Sequence, residues 1–441
     1  MTEEERKLKK WKEEIEKREV PDDRLENAIQ MGYERAKAKQ MKTKRLFIRR
    51  SAWSMAIAAI LMLAFITSIR VSLAFASAVA SIPGMSGIVD LIQDNKGLQL
   101  AIENDHYQKV GVTGEADGMK VTLEGIITDE ASLVAFNTIE FSSKRTNAFL
   151  SGYRLLDKEG EEISEAGGFN TNWNLEDDLK ATNSVEIEFK GPIPTEEMIL
   201  EVEISEEVDE DKIGTISLPF TINLQPVKQE KYVLNQTVVV EGQSITIKSI
   251  TIGPIKTAVE VEFAEDNTMQ IFGFEDLRIA DGKGDVWSSI KNGVYASGTD
   301  DPNVTIYYLQ SNFFKETEKL SLKFNKLMAL DKEEAELIVD TEKEEIIKQP
   351  KDGKFSNLKM HGPYMEIELK GREEYHHNPF STFYDADGKE LHSMSGSFSK
   401  NGNEVAIIGL DLPNEKYKNP LRFPLHAYPS YIKGNVEINI K

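Results

Sequence analysis

The chain has 441 residues, a length typical of about three domains. Hydrophobic residues make up 40% of it and charged residues 29%, values that exclude wholesale disorder. It contains no cysteine, which excludes disulfides, thiolate metal sites and a cysteine nucleophile. The net charge of −21 argues against a direct nucleic-acid partner.

The charge is unevenly distributed along the chain. Residues 1–50 carry 16 Lys and Arg against 11 Asp and Glu, a net charge of +5. The remaining residues carry 37 Lys and Arg against 63 Asp and Glu, a net charge of −26. Such a difference indicates that the two parts of the chain face different surroundings.

An uncharged apolar segment, Ala52–Ile69, lies just after the basic part. As a helix, its 18 residues would span roughly 27 Å, near the lower limit for crossing a bilayer. Trp53 lies at headgroup depth, and arginines flank the segment at both ends: Arg49, Arg50 and Arg70. We therefore predict a transmembrane helix over residues 51–70.

The positive-inside rule gives this predicted helix its orientation. Because the basic residues precede it, the rule predicts a cytoplasmic helical segment at 1–50 and an extracytoplasmic C-terminal region. The chain is thus predicted to be a single-pass protein of the cell membrane. A cleaved signal peptide is the alternative, since Leu73–Ala78 offers A-x-A-like sites after the apolar run.

Two short amphipathic helices are predicted within residues 1–50. Leu8, Trp11 and Ile15 form an apolar stripe at helical spacing, and the second helix has a fuller face: Leu25, Ala28, Ile29, Gly32, Tyr33 and Ala36. Two such helices cannot bury a core of their own. Their apolar faces must therefore meet a protein partner, membrane lipid or a second copy. The candidate partner-binding residues are Trp11, Ile15, Leu25, Ile29 and Tyr33.

A juxtamembrane helical segment is predicted at 71–104. Its apolar residues, Met85, Ile88, Val89 and Ile92, have the spacing of a short amphipathic helix. Gly97 is predicted to end this helix, and the residues after it change to the alternating pattern of strands.

Several motifs near the predicted span are distinctive: Ile82–Met85, Ile88–Ile92, Asp94–Leu98, Ala101–Asn104 and Asp129–Glu130, together with Val20–Gln40 before the span. In these motifs the chain resembles a family of Gram-positive single-pass membrane proteins that have an extracytoplasmic domain of unknown function and are anti-sigma-factor-like. The resemblance implies a cytoplasmic segment that binds an extracytoplasmic-function sigma factor, one membrane span and an outer sensing domain.

The outer region contains three repeats. Asp117–Ile126 aligns without gaps to Glu241–Ile250, and a weaker third copy starts at Asp352. Each copy is predicted to end in an alternating strand: Ile216–Leu224, Glu336–Asp340 and Val436–Ile440. We predict three antiparallel β-sandwich modules, immunoglobulin-like, at 105–225, 230–342 and 350–441. The predicted fold class is mixed: short cytoplasmic helices, one transmembrane helix, then all-β tandem modules.

No enzyme motif is complete, so no catalytic residue, cofactor or metal site is predicted. The acidic fragments that begin at Asp157, Asp281 and Asp385 resemble the start of a calcium loop, but they lack its bidentate glutamate. They are predicted to be hairpin turns. The six scattered histidines are predicted to lie at the surface.

Two functions remain open at this point. The first is a membrane-anchored anti-sigma-factor-like regulator, whose partners would be a sigma factor, membrane lipid, an envelope ligand and a regulatory protease. The second is a cell-envelope adhesion or ligand-binding protein without a sigma partner, whose stacked modules are held on a membrane stalk.

Overall fold

The computed structural model describes residues 2–17, 30–31, 89, 91–92, 94–144, 148–164, 166–177, 179–194, 196–206, 212–223, 227–288, 295–371, 375–393, 395–401, 404–414 and 416–441. The chain divides into two compact units, Met1–Ser72 and Leu73–Lys441.

The first unit contains the helix α1 (Glu3–Glu16). The helix predicted from the stripe at Leu8, Trp11 and Ile15 is therefore confirmed. Its first turn is acidic, which suits the positive end of the helix dipole, and the Thr2 amide donates to Glu5 Oε2 at 2.8 Å. Among the described residues, no helix is both long and apolar enough to span a bilayer. The span predicted at 51–70 lies outside the described residues.

In the second unit, a short helix, α2 (Lys96–Glu103), precedes a two-layer antiparallel sandwich that we call the first module. The strands of this module are β1 (Gln108–Ala116), β2 (Met119–Thr128), β3 (Ser132–Phe141), β4 (Ala148–Asp157), β5 (Ala166–Asp177), β6 (Lys180–Phe189), β7 (Glu197–Glu206) and β8 (Lys212–Thr221). One sheet has the order β1-β2-β3-β6-β5 and the other β4-β7-β8. Both contribute side chains to one core, for example Val121 and Val185 from one sheet and Leu200 and Leu218 from the other.

The second module repeats this plan. Its strands begin with β9 (Glu230–Val240), β10 (Gln243–Ile252), β11 (Lys256–Phe263), β12 (Met269–Phe274), β13 (Arg278–Asp281), β14 (Val286–Trp287), β15 (Tyr295–Gly298), β16 (Val304–Gln310) and β17 (Leu320–Asp331). The first sheet, β15-β16-β11-β10-β9, has the same succession of strands as that of the first module. In the second sheet, β17 pairs with β12 and β13, and β13 pairs with β14.

The third module follows a 3-10 turn at Lys332–Glu334. Its strands are β18 (Glu336–Asp340), β19 (Glu345–Lys348), β20 (Phe355–His361), β21 (Tyr364–Lys370), β22 (Thr382–Tyr384), β23 (Glu390–His392), β24 (Gly396–Asn401), β25 (Val405–Asp411) and β26 (Leu421–Pro424). They form the sheets β19-β18-β26-β22-β23 and β20-β21-β25-β24. The tandem antiparallel sandwiches predicted from the repeats are present, while the immunoglobulin-like assignment remains a prediction.

The last strand, β27 (Tyr431–Asn439), belongs to the second module. It pairs antiparallel with β17, from Ser321 opposite Asn439 to Met328 opposite Tyr431. In the first module, by contrast, β7 pairs with the next strand of the chain, β8. The strand that follows β17 in the chain, β18, pairs instead with β26 of the third module. The third module is thus inserted between β17 and β27 of the second, and β18 and β27 take each other's predicted places, an arrangement that we call the strand exchange.

The strand exchange corrects two predicted module boundaries. The prediction ended the second module with Glu336–Asp340 and the third with Val436–Ile440, and both assignments are wrong. The second module comprises 230–331 and 431–440, and the third lies between these two pieces. The physical reason is visible in β17, whose C-terminal half is buried on both faces. Leu327 and Ala329 enter the core of the second module, whereas Met328 and Leu330 enter that of the third.

The predicted hairpin turns are confirmed. In each of the three acidic fragments, Oδ1 of the first aspartate accepts two backbone N–H groups, two and four residues further along the chain. These aspartates are Asp157, Asp281 and Asp385. Their Oδ1 atoms close turns, which explains the acidic residue at the start of each fragment without a bound ion.

Candidate functional site: the junction around helix α2

The two candidate partner-binding residues that the structure describes lie on α1. Trp11 is 73% exposed and Ile15 is 68% exposed, and Leu8 on the same stripe is 72% exposed. No residue of α1 is buried. The other three candidates, Leu25, Ile29 and Tyr33, lie outside the described residues.

In the second unit, α2 lies where the first and second modules meet. Leu98, Ala101 and Ile102 on its apolar face are buried. They share one cluster with Ile127, Val134 and Phe136 of the first module and with Ile255 of the second. Burial of apolar surface is favourable, at about 25 cal/mol per Å². The buried face of α2 therefore helps to hold the two modules together.

Gly97 was predicted to end a helix, and this prediction is wrong. The residue lies in the first turn of α2. Asn95 caps the start of the helix, and its side chain accepts hydrogen bonds from Gly97 N and Leu98 N at 3.1 Å each. A Cβ atom at position 97 would lie 2.6 Å from the backbone nitrogen of Ser311. The glycine is therefore required for close packing of α2 against the second module.

Polar contacts join the start of α2 to the second module. The Lys96 ammonium donates to the Val286 carbonyl at 2.8 Å, and the Lys96 amide donates to Gln310 Oε1 at 3.3 Å. Gln310 Nε2 in turn donates to the Asp94 carbonyl at 2.9 Å. The backbone at the beginning of the helix is thus tied to β14 and to the end of β16.

His106, which follows α2, is buried, and its predicted place at the surface is wrong. Its Nε2 lies 2.6 Å from the Thr128 carbonyl oxygen, and its ring lies 5.3 Å from that of Phe314 in the second module. His106 is only 7% exposed, because the chain turns from α2 into the first module at this point.

A buried cluster of charges joins the two modules near α2. Lys256 of β11 donates from Nζ to Glu186 Oε1 at 2.8 Å and also to Glu188 Oε1, both on β6 of the first module. The side chain of Lys256 is 9% exposed and its Nζ lies 4.3 Å from the centre of the Tyr308 ring. Burial alone would lower the pKa of Lys256, but the two carboxylates hold that pKa above its ordinary value.

Asp129, in the turn between β2 and β3, faces the same junction. Its Oδ1 accepts from Ala131 N at 2.9 Å, whereas its buried Oδ2 has no hydrogen-bond partner among the described residues. A Cβ atom on Gly253 of the second module would lie 3.2 Å from that Oδ2. Burial raises the pKa of Asp129 above its ordinary value, against the opposing effects of the Ala131 hydrogen bond and of Lys256.

The junction combines a helix packed against two modules with a set of charged side chains. Within the described ranges, no group of three or more His, Asp and Glu side chains is placed to hold a metal ion. What the junction provides is a helix whose position depends on two modules at once, together with an ion cluster that spans them.

The motifs Asp94–Leu98, Ala101–Asn104 and Asp129–Glu130 include residues of this junction, but the sequence did not point to Lys256 and its partners. Glu186 and Glu188 alternate with apolar residues in β6, the pattern of any half-exposed strand, and Lys256 follows a turn. The one available signal was the polar residue Asn95 before an apolar run, which is typical of a helix start.

Comparisons with known proteins match two parts of the chain. Residues 48–141 match a domain of unknown function (DUF4179), and residues 229–369 match a family of unknown function (DUF5643). The second match ends within β21. It therefore contains β17 and β18, but neither β27, which pairs with β17, nor β26, which pairs with β18. No curated protein matches the chain.

Among solved structures, the chain is similar to a conserved domain protein from Bacillus anthracis. The two are 13% identical with a TM-score of 0.39, over 76% of this chain and 92% of the other.

Proposed function

We propose that the chain is a membrane-anchored regulator similar to anti-sigma factors. Its N-terminal segment sequesters an extracytoplasmic-function sigma factor in the cytoplasm, a helix over 51–70 crosses the membrane, and the β modules sense a signal in the envelope. The charge distribution, the apolar segment and the match to DUF4179 support this proposal.

The observation that carries the proposal is the exposed apolar stripe of α1. Leu8, Trp11 and Ile15 are each more than two-thirds exposed in a helix that is otherwise highly charged. Burying one such side chain against a partner contributes roughly 1.5–3 kcal/mol. A sigma factor that covers the stripe would supply the apolar contacts that α1 itself lacks.

The junction offers a route for the signal. Because α2 contacts both modules, a change in how the first and second modules meet would alter the position of α2. This helix lies on the outer side of the proposed span and close to it in sequence. Release of the sigma factor then follows either proteolysis near the span or a rearrangement transmitted from the modules.

Co-purification with the full-length chain tests the proposal. A tagged chain is expressed in its own cells, extracted with detergent, and its bound proteins are identified by mass spectrometry. We expect a sigma factor to co-purify with the wild type and to be lost in the variant Trp11→Asp/Ile15→Asp. Glu13→Lys, on the opposite side of α1, is the matched control and should retain it. Equal recovery from the two variants would contradict the proposed contact face.

Topology reporters test the membrane part separately. Fusions after Arg35 and after Gly97 should report the cytoplasm and the exterior, respectively. Correct topology without any sigma factor in the purified complex would favour the adhesion or ligand-binding alternative. A chain that fractionates without detergent would overturn the membrane anchor.

A further inference from the structure

A cleft of about 380 Å³ lies in the second module, beside the loop 312–317 that follows β16. This volume lies within the range of small-molecule sites. Its lining combines charged, aromatic and buried polar side chains: Glu230, Ile252, Asn312, Phe313, Phe314, Lys315, Glu316, Thr317 and Lys441.

Two of these side chains have buried oxygen atoms without hydrogen bonds. Asn312 is only 3% exposed, and neither its Oδ1 nor the Oγ1 of Thr317 has a hydrogen-bond partner among the described residues. Leaving such an atom unsatisfied destabilises a folded protein. A ligand that donates hydrogen bonds would therefore recover interactions that the protein lacks.

The charges around the cleft are balanced. Lys315 and Lys441 supply two cations, and Glu230 and Glu316 supply two carboxylates. Lys315 is also 3.1 Å from Asp285, and Lys441 is 3.5 Å from Glu230. A balanced set of this kind complements a molecule that carries both signs of charge, rather than a simple anion or cation.

The apolar part of the cleft is formed by Ile252 and by the adjacent rings of Phe313 and Phe314. The ring centres of the two phenylalanines are 5.1 Å apart in an edge-to-face arrangement. Rings in this position provide contact area for an apolar side chain of a ligand.

We propose that this cleft binds a small zwitterion, an amino acid or a dipeptide. The ammonium group of the ligand donates to Asn312 Oδ1 and Thr317 Oγ1, and the carboxylate of the ligand lies near Lys441. Its side chain contacts Phe313 and Phe314.

The cleft is connected to the junction around α2. Phe314 packs against the cluster that contains α2, and Ser311, just before the loop, lies against Gly97. A ligand in the cleft would therefore change the position of α2. This consequence rests on the proposed function, whereas the binding itself does not.

Titration calorimetry on the full-length chain, purified in detergent, tests the binding. The probe is L-alanyl-L-phenylalanine, and its N-acetylated, C-amidated form is the capped control. We expect heat of binding with the free dipeptide and at least tenfold weaker binding with the capped form. Thr317→Val removes one acceptor at nearly constant volume and should weaken binding by about three- to tenfold. Thr113→Val in the first module is the matched control and should bind as the wild type does.

Lys441→Met provides a second variant at a partly exposed position, where loss of folding is not expected. It should also weaken binding of the free dipeptide. Absence of heat at millimolar dipeptide, or equal binding of the free and capped forms, would overturn the proposal. The proposal would also be overturned if N-acetylglucosamine bound to the wild type and Thr317→Val abolished this binding. That result would assign the cleft to a sugar. None of these results affects the co-purification test, which depends on α1.

Discussion

Ile438 pairs with Leu322 in the antiparallel register of β27 and β17, and both side chains are fully buried in the core of the second module. The whole third module lies between these two strands in the chain. The two modules also share β17, because Met328 and Leu330 of this strand are buried in the core of the third module. The second and third modules should therefore unfold together.

The substitution Ile438→Ala tests this relationship. Removing a buried isoleucine should lower the free energy of unfolding by about 2–4 kcal/mol. Amide hydrogen exchange should accelerate in β10 and β17 of the second module and in β18 and β26 of the third, while the first module keeps its protection. Asn439→Ala, at the exposed neighbouring position, is the control and should change little. Loss of protection confined to the third module would contradict the strand exchange.

Lys256→Met tests the ion cluster of the junction. The substitution leaves Glu186 and Glu188 without their counter-charge, and we expect a loss of about 2–4 kcal/mol in the free energy of unfolding. This is less than for a fully buried pair, because Glu188 is 30% exposed. The rate of amide hydrogen exchange in α2 should rise in the same variant.

An exposed ion pair of the first module provides the control for Lys256→Met. Lys120 and Glu140 are 2.8 Å apart, with side chains 45% and 50% exposed, so Lys120→Met should change the stability little. Similar losses from the two substitutions would show that the buried cluster has no special role in joining the modules.

Asp129→Asn should stabilise the protein at neutral pH. Because burial raises the folded-state pKa of Asp129, the unfolded state binds fewer protons than the folded state between the two pKa values. Stability therefore falls as the pH rises from about 4 through the folded-state pKa, and asparagine removes this loss. Thermal melts across this range should show a higher midpoint for the variant at neutral pH and convergence with the wild type in acid. A lower midpoint at neutral pH would contradict the prediction.

Asp276→Asn should have the opposite effect. Although burial opposes it, hydrogen bonds from Asn325 N, Asn325 Nδ2 and Lys326 N and the charge of Arg278 lower the folded-state pKa of Asp276. This contribution to stability is present above about pH 4 and is lost as the pH falls through the folded-state pKa. The variant should be less stable than the wild type by about 1–2 kcal/mol at neutral pH, and its stability should fall less on acidification. An unchanged acid transition would contradict this assignment.

Local features of the fold could be read from the sequence because they depend on neighbouring residues. The segments Asp117–Ile126 and Glu241–Ile250, which align in the sequence, both start with two residues at positive φ: 50° and 76° in the first, 47° and 82° in the second. The alternating apolar residues of the strands and the acidic hairpin turns were recognised for the same reason. These signals established the repeats and the antiparallel sandwiches.

The strand exchange could not be read in this way. The segments Glu336–Asp340 and Val436–Ile440 have similar alternation, so either would fit beside β17 as judged from its pattern alone. What decides between them is that the end of β17 is buried in two cores, which directs β18 into the third module. The ion cluster of the junction was missed for a related reason: Lys256 and its partners are distant in sequence, and no local pattern links them.

The strand exchange also has a consequence for synthesis on the ribosome. After Asp331 has been added, another 99 residues must follow before Tyr431, the first residue of β27, is added. At about 5–20 residues per second, the nascent second module waits roughly 5–20 s with one edge of β17 uncovered. An unpaired strand edge of this kind is a template for aggregation, so a chaperone that shields extended segments should raise the yield of this protein.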